Sequence, residues 1–216
     1  ELTGEAYEGM SLGDRILASL FQSVTVRTAG FNTVDLAALR EGSIFLMICL
    51  MVVGGSSGAQ AINRAVRASL NQLTECFEVI HLCGKGNLDE SLIGIHGYVQ
   101  YEYVDAPLKH LFAAADIVIS RAGANSICEL LALRKPNLLI PLSAAASRGD
   151  QILNANSFSK QGFSMVLEEE ALSDETLYHA VSELYAHRSD YIQAMEHSSL
   201  NNAVATVLSL IEACTK

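Results

Sequence analysis

The sequence is short of positive charge: 14 lysines and arginines stand against 24 aspartates and glutamates, a net charge of −10 over 216 residues. Without a basic field to steer polyanions in, a general nucleic-acid binder or a protein held to anionic lipid by charge is excluded. Any phosphate binding then falls to local backbone N–H groups. The five cysteines (Cys49, Cys76, Cys83, Cys128, Cys214) include no C-x-x-C pair, there is no H-E-x-x-H, and the six histidines are scattered. No metal site is therefore expected. Four of the cysteines lie in apolar runs and read as reduced core thiols of a cytosolic protein. Long hydrophobic runs are also missing. The longest, Ile44–Val53, is about half of what a bilayer crossing needs, and no charged-then-apolar secretory signal opens the chain.

What is present is apolar residue in quantity, half of the chain, enough for a sizeable core. From residue 44 onward short apolar runs alternate with helical patterns, as in βαβ units. The strands expected are Ile44–Val53, Phe77–Leu82, Ile93–Val99, Asp116–Ser120, Asn137–Leu142 and Phe163–Leu167. Between them the spacing predicts helices over Ala59–Gln72, Ala106–Ala114, Ser126–Leu133 and Asp150–Lys160, the last stopped by Gly162. Three packing helices follow, over Ser173–Ala186, Ser189–His197 and Asn201–Ala213. The expected product is an α/β fold, a Rossmann-like doubly wound parallel sheet over residues 44–216. Residues 1–43 form a separate, short helical segment, with amphipathic pieces at Asp14–Gln22 and Val34–Arg40 around the turn "TVRTAGFNT".

Three loops fall at the carboxyl ends of these strands, the edge where open α/β sheets bind ligands. In Gly54-Gly55-Ser56-Ser57-Gly58, glycines let the backbone approach an anion, and the following helix offers free N–H groups and its dipole to a diphosphate. A plain Gly-rich turn from strand to helix fits the same residues. In "SRAGANSICELL", Ser126-x-x-Glu129 has the spacing of a capping box; alternatively Glu129 accepts hydrogen bonds from a ribose diol, which a carboxylate suits because it accepts from two hydroxyls. In "PLSAAASRGDQILNAN", Gln151 and Asn154 either read sugar hydroxyls or cap and solvate the helix start.

Read together, "GGSSGAQAIN", "YEYVDAPLKHLFAAADIVISRAGANSICELLALRKPNLLIPL" and "SRGDQILNA" resemble, in order and spacing, the C-terminal donor-binding domain of the MurG glycosyltransferase family, from about Val52 to Thr215. The resemblance implies the second Rossmann-like half of a GT-B fold. It also implies a UDP-N-acetylglucosamine donor, no metal or other cofactor, inverting transfer to a lipid-linked muramoyl-pentapeptide in peptidoglycan synthesis, and a cytoplasmic location, peripheral at the inner membrane face. By that likeness Gly55, Ser56 and Ser57 lie at the donor diphosphate, Val104 faces uracil and Glu129 holds the ribose. Arg121, Ala124, Asn125 and Ser126 belong to the loop and helix start around the donor, Gln151 lies on the sugar side, and Asn154 shares its helix. No catalytic residue is assigned. The family's acceptor domain, with its base, is not in the matching stretch, so a lipid-linked acceptor requires an added domain and this chain alone is expected to turn over weakly or not at all. Residues 1–53, through "QSVTVRTAGFNTVDLAALREGSIFLMICLMVVGGSSG", resemble a different family: one pore-loop repeat of Trk/Ktr potassium transporters, with Gly30 in the filter. The alternative reading is accordingly a potassium-transporter fragment or an inactive fusion joined at GGSSG.

Overall fold

A computed structural model describes residues 48–54, 59–104, 108–144 and 149–198. The segment 1–43, the helix expected over Asn201–Ala213, and Gly55, Ser56 and Ser57 lie outside these residues.

Six strands form one parallel sheet: β1 (Cys49–Val53), β2 (Glu78–Leu82), β3 (Tyr98–Tyr101), β4 (Ile117–Ser120), β5 (Asn137–Leu139) and β6 (Met165–Val166), in spatial order β3-β2-β1-β4-β5-β6. Seven α-helices are found among the described residues: α1 (Gln60–Ala68), α2 (Leu70–Cys76), α3 (Leu108–Ala114), α4 (Ala124–Ala132), α5 (Asp150–Lys160), α6 (Asp174–Ala186) and α7 (Arg188–Glu196). β1 runs down the middle, with Met51 between Ile80 of β2 and Val118 of β4. Its first four residues are fully buried, as a parallel strand covered on both faces requires. Because side chains alternate along a strand, Leu50 and Val52 enter one core with α1, α2 and α6, whereas Met51 enters a second core with α3, α4 and α5. Each such side chain contributes about 1.5–3 kcal/mol.

Several boundaries move for identifiable reasons. The strand expected at Ile93–Val99 starts only at Tyr98, because Gly94 (φ 87°) and Gly97 (φ 77°) turn the chain and leave Ile93 72% exposed. A 3₁₀ turn, Glu90–Leu92, precedes it. The single helix expected over Ala59–Gln72 is two. It breaks at buried Ser69, whose hydroxyl donates back to the carbonyl of Ala65 (2.8 Å), and then runs past Gln72 to Cys76. The strands Asn137–Leu139 and Met165–Val166 are shorter than Asn137–Leu142 and Phe163–Leu167, the extra apolar residues serving as loop that is buried at Ile140, Pro141 and Phe163 and half-buried at Leu142 and Leu167. By contrast α5 matches its expected bounds. Gly162 (φ 74°) closes it through N–H donations from Gly162 to Ser159 (2.9 Å) and from Phe163 to Phe158 (3.0 Å), with the Phe158 and Phe163 rings edge to face. Of the four described cysteines, Cys49 and Cys83 are buried, as core thiols should be, whereas Cys76 is half-buried and Cys128 is exposed on α4.

Candidate functional site at the sheet's switch point

The strand order places β1 and β4 side by side while the helices that follow them diverge, α1 to one face and α4 to the other. In open α/β sheets such a divergence marks the usual ligand position, at the carboxyl edge beyond Val53 and Ser120. Gly54 packs so closely on the start of α1 that a Cβ there would lie 2.9 Å from the Ala59 nitrogen. The first internal bond of α1 is Asn63 N–H to Ala59 (2.8 Å), and that of α4 is Ile127 N–H to Gly123 (3.0 Å). Neither N-cap, Ala59 or Gly123, supplies a side-chain acceptor. Two helix N-termini without side-chain caps, each with its N–H donors and positive dipole end, therefore lie at the carboxyl edge of neighbouring strands.

This arrangement removes the capping-box reading of Ser126 and Glu129. Helix α4 begins at Ala124, two residues before the expected start, with Gly123 as its cap. Ser126 is then inside the first turn and Glu129 in the second. Among the described residues a capping box joins Ser173 and Thr176 at the start of α6. Ala124, Asn125 and Glu129 are exposed, Ser126 is half-buried, and no described residue pairs with the Glu129 carboxylate.

The other expected residues are held from behind. Arg121 donates from Nη1 to the carbonyls of Ile140 (3.0 Å) and Pro141 (3.2 Å) and pairs through Nη2 with Glu169, the two side chains being only 12% and 20% exposed. It thus braces the ends of β4 and β5 against the 3₁₀ turn Glu169–Ala171. Gln151 accepts from the N–H of Leu142 (3.1 Å), and Asn154 donates to the carbonyl of Ala122 (3.0 Å), so α5 is tied to both neighbouring loops. Val104 packs, half-buried, against the second core.

A polar network that sequence reasoning missed ties α1 to β2 and β3. Buried Asn63 of α1 donates from Nδ2 to the carbonyl of Cys83 (2.8 Å), while its Oδ1 meets His81 Nε2 (2.9 Å); His81 Nδ1 meets the hydroxyl of Tyr98 (2.9 Å). With the Asn63 amide committed as donor, Nε2 carries the imidazole proton and Nδ1 accepts from Tyr98. Burial, aided by the Arg67 guanidinium, lowers the His81 pKa from 6.5 to about 4. Burial also pushes the Tyr98 phenol and the Cys83 thiol up, so both stay protonated. The available signal was a lone polar residue in each of two core-facing patterns, Asn63 in "AINRAV" and His81 in "EVIHL".

A cleft of about 630 Å³ lies nearby between α1 and α6, lined by Ala61, Arg64, Ser143, Glu170 and Asp174 among others. It contains none of the α4 residues, and its carboxylates oppose an anion. The switch point, where α1 and α4 both begin at the carboxyl edge, is the better candidate. Among the described residues no group of three His, Cys, Asp or Glu side chains is placed to hold a metal ion.

Comparison with known proteins agrees with this geometry. The model of the glycosyltransferase family 28 C-terminal domain matches residues 49–211. The chain is 63% identical over 163 residues to the UDP-N-acetylglucosamine--N-acetylmuramyl-(pentapeptide) pyrophosphoryl-undecaprenol N-acetylglucosamine transferase of Lachnoclostridium phytofermentans, covering 76% of this chain and 46% of that protein. The protein of the same name from Clostridium novyi is 58% identical over the same coverage. The chain thus spans about half the length of the curated relatives it matches. Among solved structures, Acinetobacter baumannii MurG superposes with a TM-score of 0.65 at 23% identity, over 77% of this chain and 50% of that one. A cation transport protein model also matches residues 5–79. Where that match overlaps the described residues it falls on β1, α1, α2 and the start of β2, and no described helix is long and apolar enough to cross a membrane. The sheet order and the match over residues 49–211 agree: the chain belongs to the glycosyltransferase family 28 C-terminal domain family.

Proposed function

We propose that this chain carries the UDP-N-acetylglucosamine site of an inverting N-acetylglucosaminyltransferase that acts on a lipid-linked muramoyl-pentapeptide. The observation that carries the reading is the switch point itself: two helix N-termini without side-chain caps at the carboxyl edge, with the exposed carboxylate of Glu129, which pairs with no described residue, one turn inside the second. The names of the 63% and 58% identical relatives supply the donor and acceptor. In this reading the donor diphosphate rests on the Gly55-Ser56-Ser57 turn and the first turn of α4 at Ala124, Asn125 and Ser126. Glu129 accepts from the ribose hydroxyls, and the backbone at Val104 faces uracil. Gln151 and Asn154 stand on the sugar side, each with one amide atom already committed to a neighbouring loop, and Arg121 holds the loop ends in place behind them.

As the acceptor attacks the anomeric carbon, the bond to the diphosphate oxygen breaks and negative charge grows on the leaving UDP. The converging N–H groups and helix dipoles stabilise that charge, with no metal or cofactor required. No described residue is assigned as the base that takes the acceptor's proton. That group belongs to an acceptor domain, and residues 44–216 by themselves bind donor with little or no turnover. The lipid-linked acceptor puts the working enzyme at the cytoplasmic face of the membrane. We assign residues 1–53 to a transporter-derived segment joined at Gly54–Gly58, its last residues, Cys49–Val53, serving as β1; the match over residues 5–79 is the support. Equilibrium titration with UDP, dTDP and ADP tests the reading. Saturable binding that prefers UDP is expected, and no saturable UDP binding overturns it.

A further inference from the structure

Helix α1 is tied down along one side by polar rather than apolar contacts. Gln60, Asn63 and Arg67, at i, i+3 and i+7, all reach the loop that follows β2: Gln60 Nε2 to Asn87 Oδ1, Asn63 Nδ2 to the carbonyl of Cys83 and Arg67 Nη2 to the carbonyl of Asn87. The middle tie is the buried one, and it is held from below by His81, which is in turn held by Tyr98 of β3. Burying three polar side chains, Asn63, His81 and Tyr98, where apolar ones would pack serves geometry: each hydrogen bond fixes a direction, whereas apolar contact lets a helix slide or roll. What these bonds fix is the first turn of α1, because Gln60 is its first residue and Asn63 donates the helix's first internal bond.

We propose that His81 and Asn63, with Gln60 at the mouth of the junction, are positioning residues for the donor's diphosphate, holding the first turn of α1 at the height and angle its N–H groups need. The inference rests on the donor site proposed above. None of the three side chains has to touch the ligand; His81 acts through Asn63, and Asn63 through the backbone of α1. A diphosphate bound by several short N–H contacts is sensitive to sub-ångström displacement of the donors, whereas a nucleoside read by Val104 and Glu129 on other elements is not.

The discriminating measurement is the ratio of UDP to uridine affinity, by calorimetry at pH 7.5, in the wild-type chain and in His81→Phe, Asn63→Ala and Gln60→Ala. Wild type is expected to bind UDP more tightly than uridine. The variants should lose about tenfold of that margin, the equivalent of one well-placed hydrogen bond, with uridine affinity unchanged. A folded His81→Phe or Asn63→Ala chain with the wild-type ratio overturns the proposal, as does one in which UDP and uridine affinities fall together, the mark of a general structural role. If both buried variants fail to fold, exposed Gln60→Ala decides by the same ratio. Wild type binding neither ligand would remove the donor site itself, and the proposal with it; that outcome is distinct because it appears before any variant is compared.

Discussion

Protonating His81 should unfold this domain by degrees, and the size of the effect follows from its burial. The neutral imidazole is buried, giving its proton to Asn63 and receiving one from Tyr98. An added proton would sit on Nδ1 facing a hydroxyl that now donates, near the Arg67 guanidinium and away from water. The folded pKa, about 4, lies below the ordinary 6.5. The unfolded chain therefore takes up the proton first, and the stability contribution is complete above pH 6.5 and is lost as pH falls toward 4. Linkage gives a loss of about 2 kcal/mol between pH 7 and pH 5 and about 3 kcal/mol in full. For a domain of this size that is a Tm drop of roughly 4–8 °C by pH 5. His81→Phe is the reference, because it keeps every other ionisable group and removes only this one. The variant starts about 1–3 kcal/mol less stable, because Asn63 and Tyr98 lose partners. Denaturant melts by circular dichroism at pH 7, 6 and 5 should show the stability gap between the two proteins narrowing as pH falls. A gap constant across that range refutes the reasoning.

Other outcomes follow from single contacts. Gly54→Ala puts a methyl 2.9 Å from the Ala59 nitrogen and should cost about 1–3 kcal/mol, with UDP binding lost in the folded fraction; an unchanged Tm contradicts that close approach. Arg134, at φ 50°, is the non-glycine residue in the left-handed position that closes α4, with Lys135 N–H bonded to Leu130 (3.0 Å). Arg134→Gly should be neutral to stabilising by up to about 1 kcal/mol, whereas a loss above that in thermal melts would show the side chain matters more than the backbone. Arg121→Ala removes the partner of Glu169 and the donor to Ile140 and Pro141 and should destabilise by about 2–4 kcal/mol; a fall in UDP affinity with no change in Tm would instead make Arg121 a ligand residue rather than a brace.

The sheet was largely legible in the sequence because buried parallel strands and their covering helices carry strong periodic signals. "DIVIS" and "DQILNANSFSK" fall in the expected elements almost to the residue. Signals failed where a backbone exception outweighed side-chain pattern. Ile93 and Ile95 read as strand, but the left-handed glycines at 94 and 97 make them a turn. The capping box was sought as Ser-x-x-Glu and occurs as Ser173 with Thr176, while Gly123 caps α4 with no side chain at all. The candidate site residues were chosen from loop position and family likeness, but the contacts that support them were not legible. Asn63, His81 and Tyr98 are far apart in sequence, as are Arg121 and Glu169, and nothing in a one-dimensional pattern says that such residues meet.

The central claim is that Glu129 holds the ribose of a uridine nucleotide at the β1/β4 switch point. It is tested most directly by titrating UDP and 2′-deoxy-UDP into wild type and Glu129→Ala. Two hydrogen bonds to a carboxylate are worth about 1.5–3 kcal/mol or more together, so UDP affinity should fall at least about tenfold on Glu129→Ala. The wild-type preference for UDP over the deoxy analogue should collapse in the variant. Equal UDP affinity in the two proteins, or a preference for UDP that survives the loss of the carboxylate, would contradict the account.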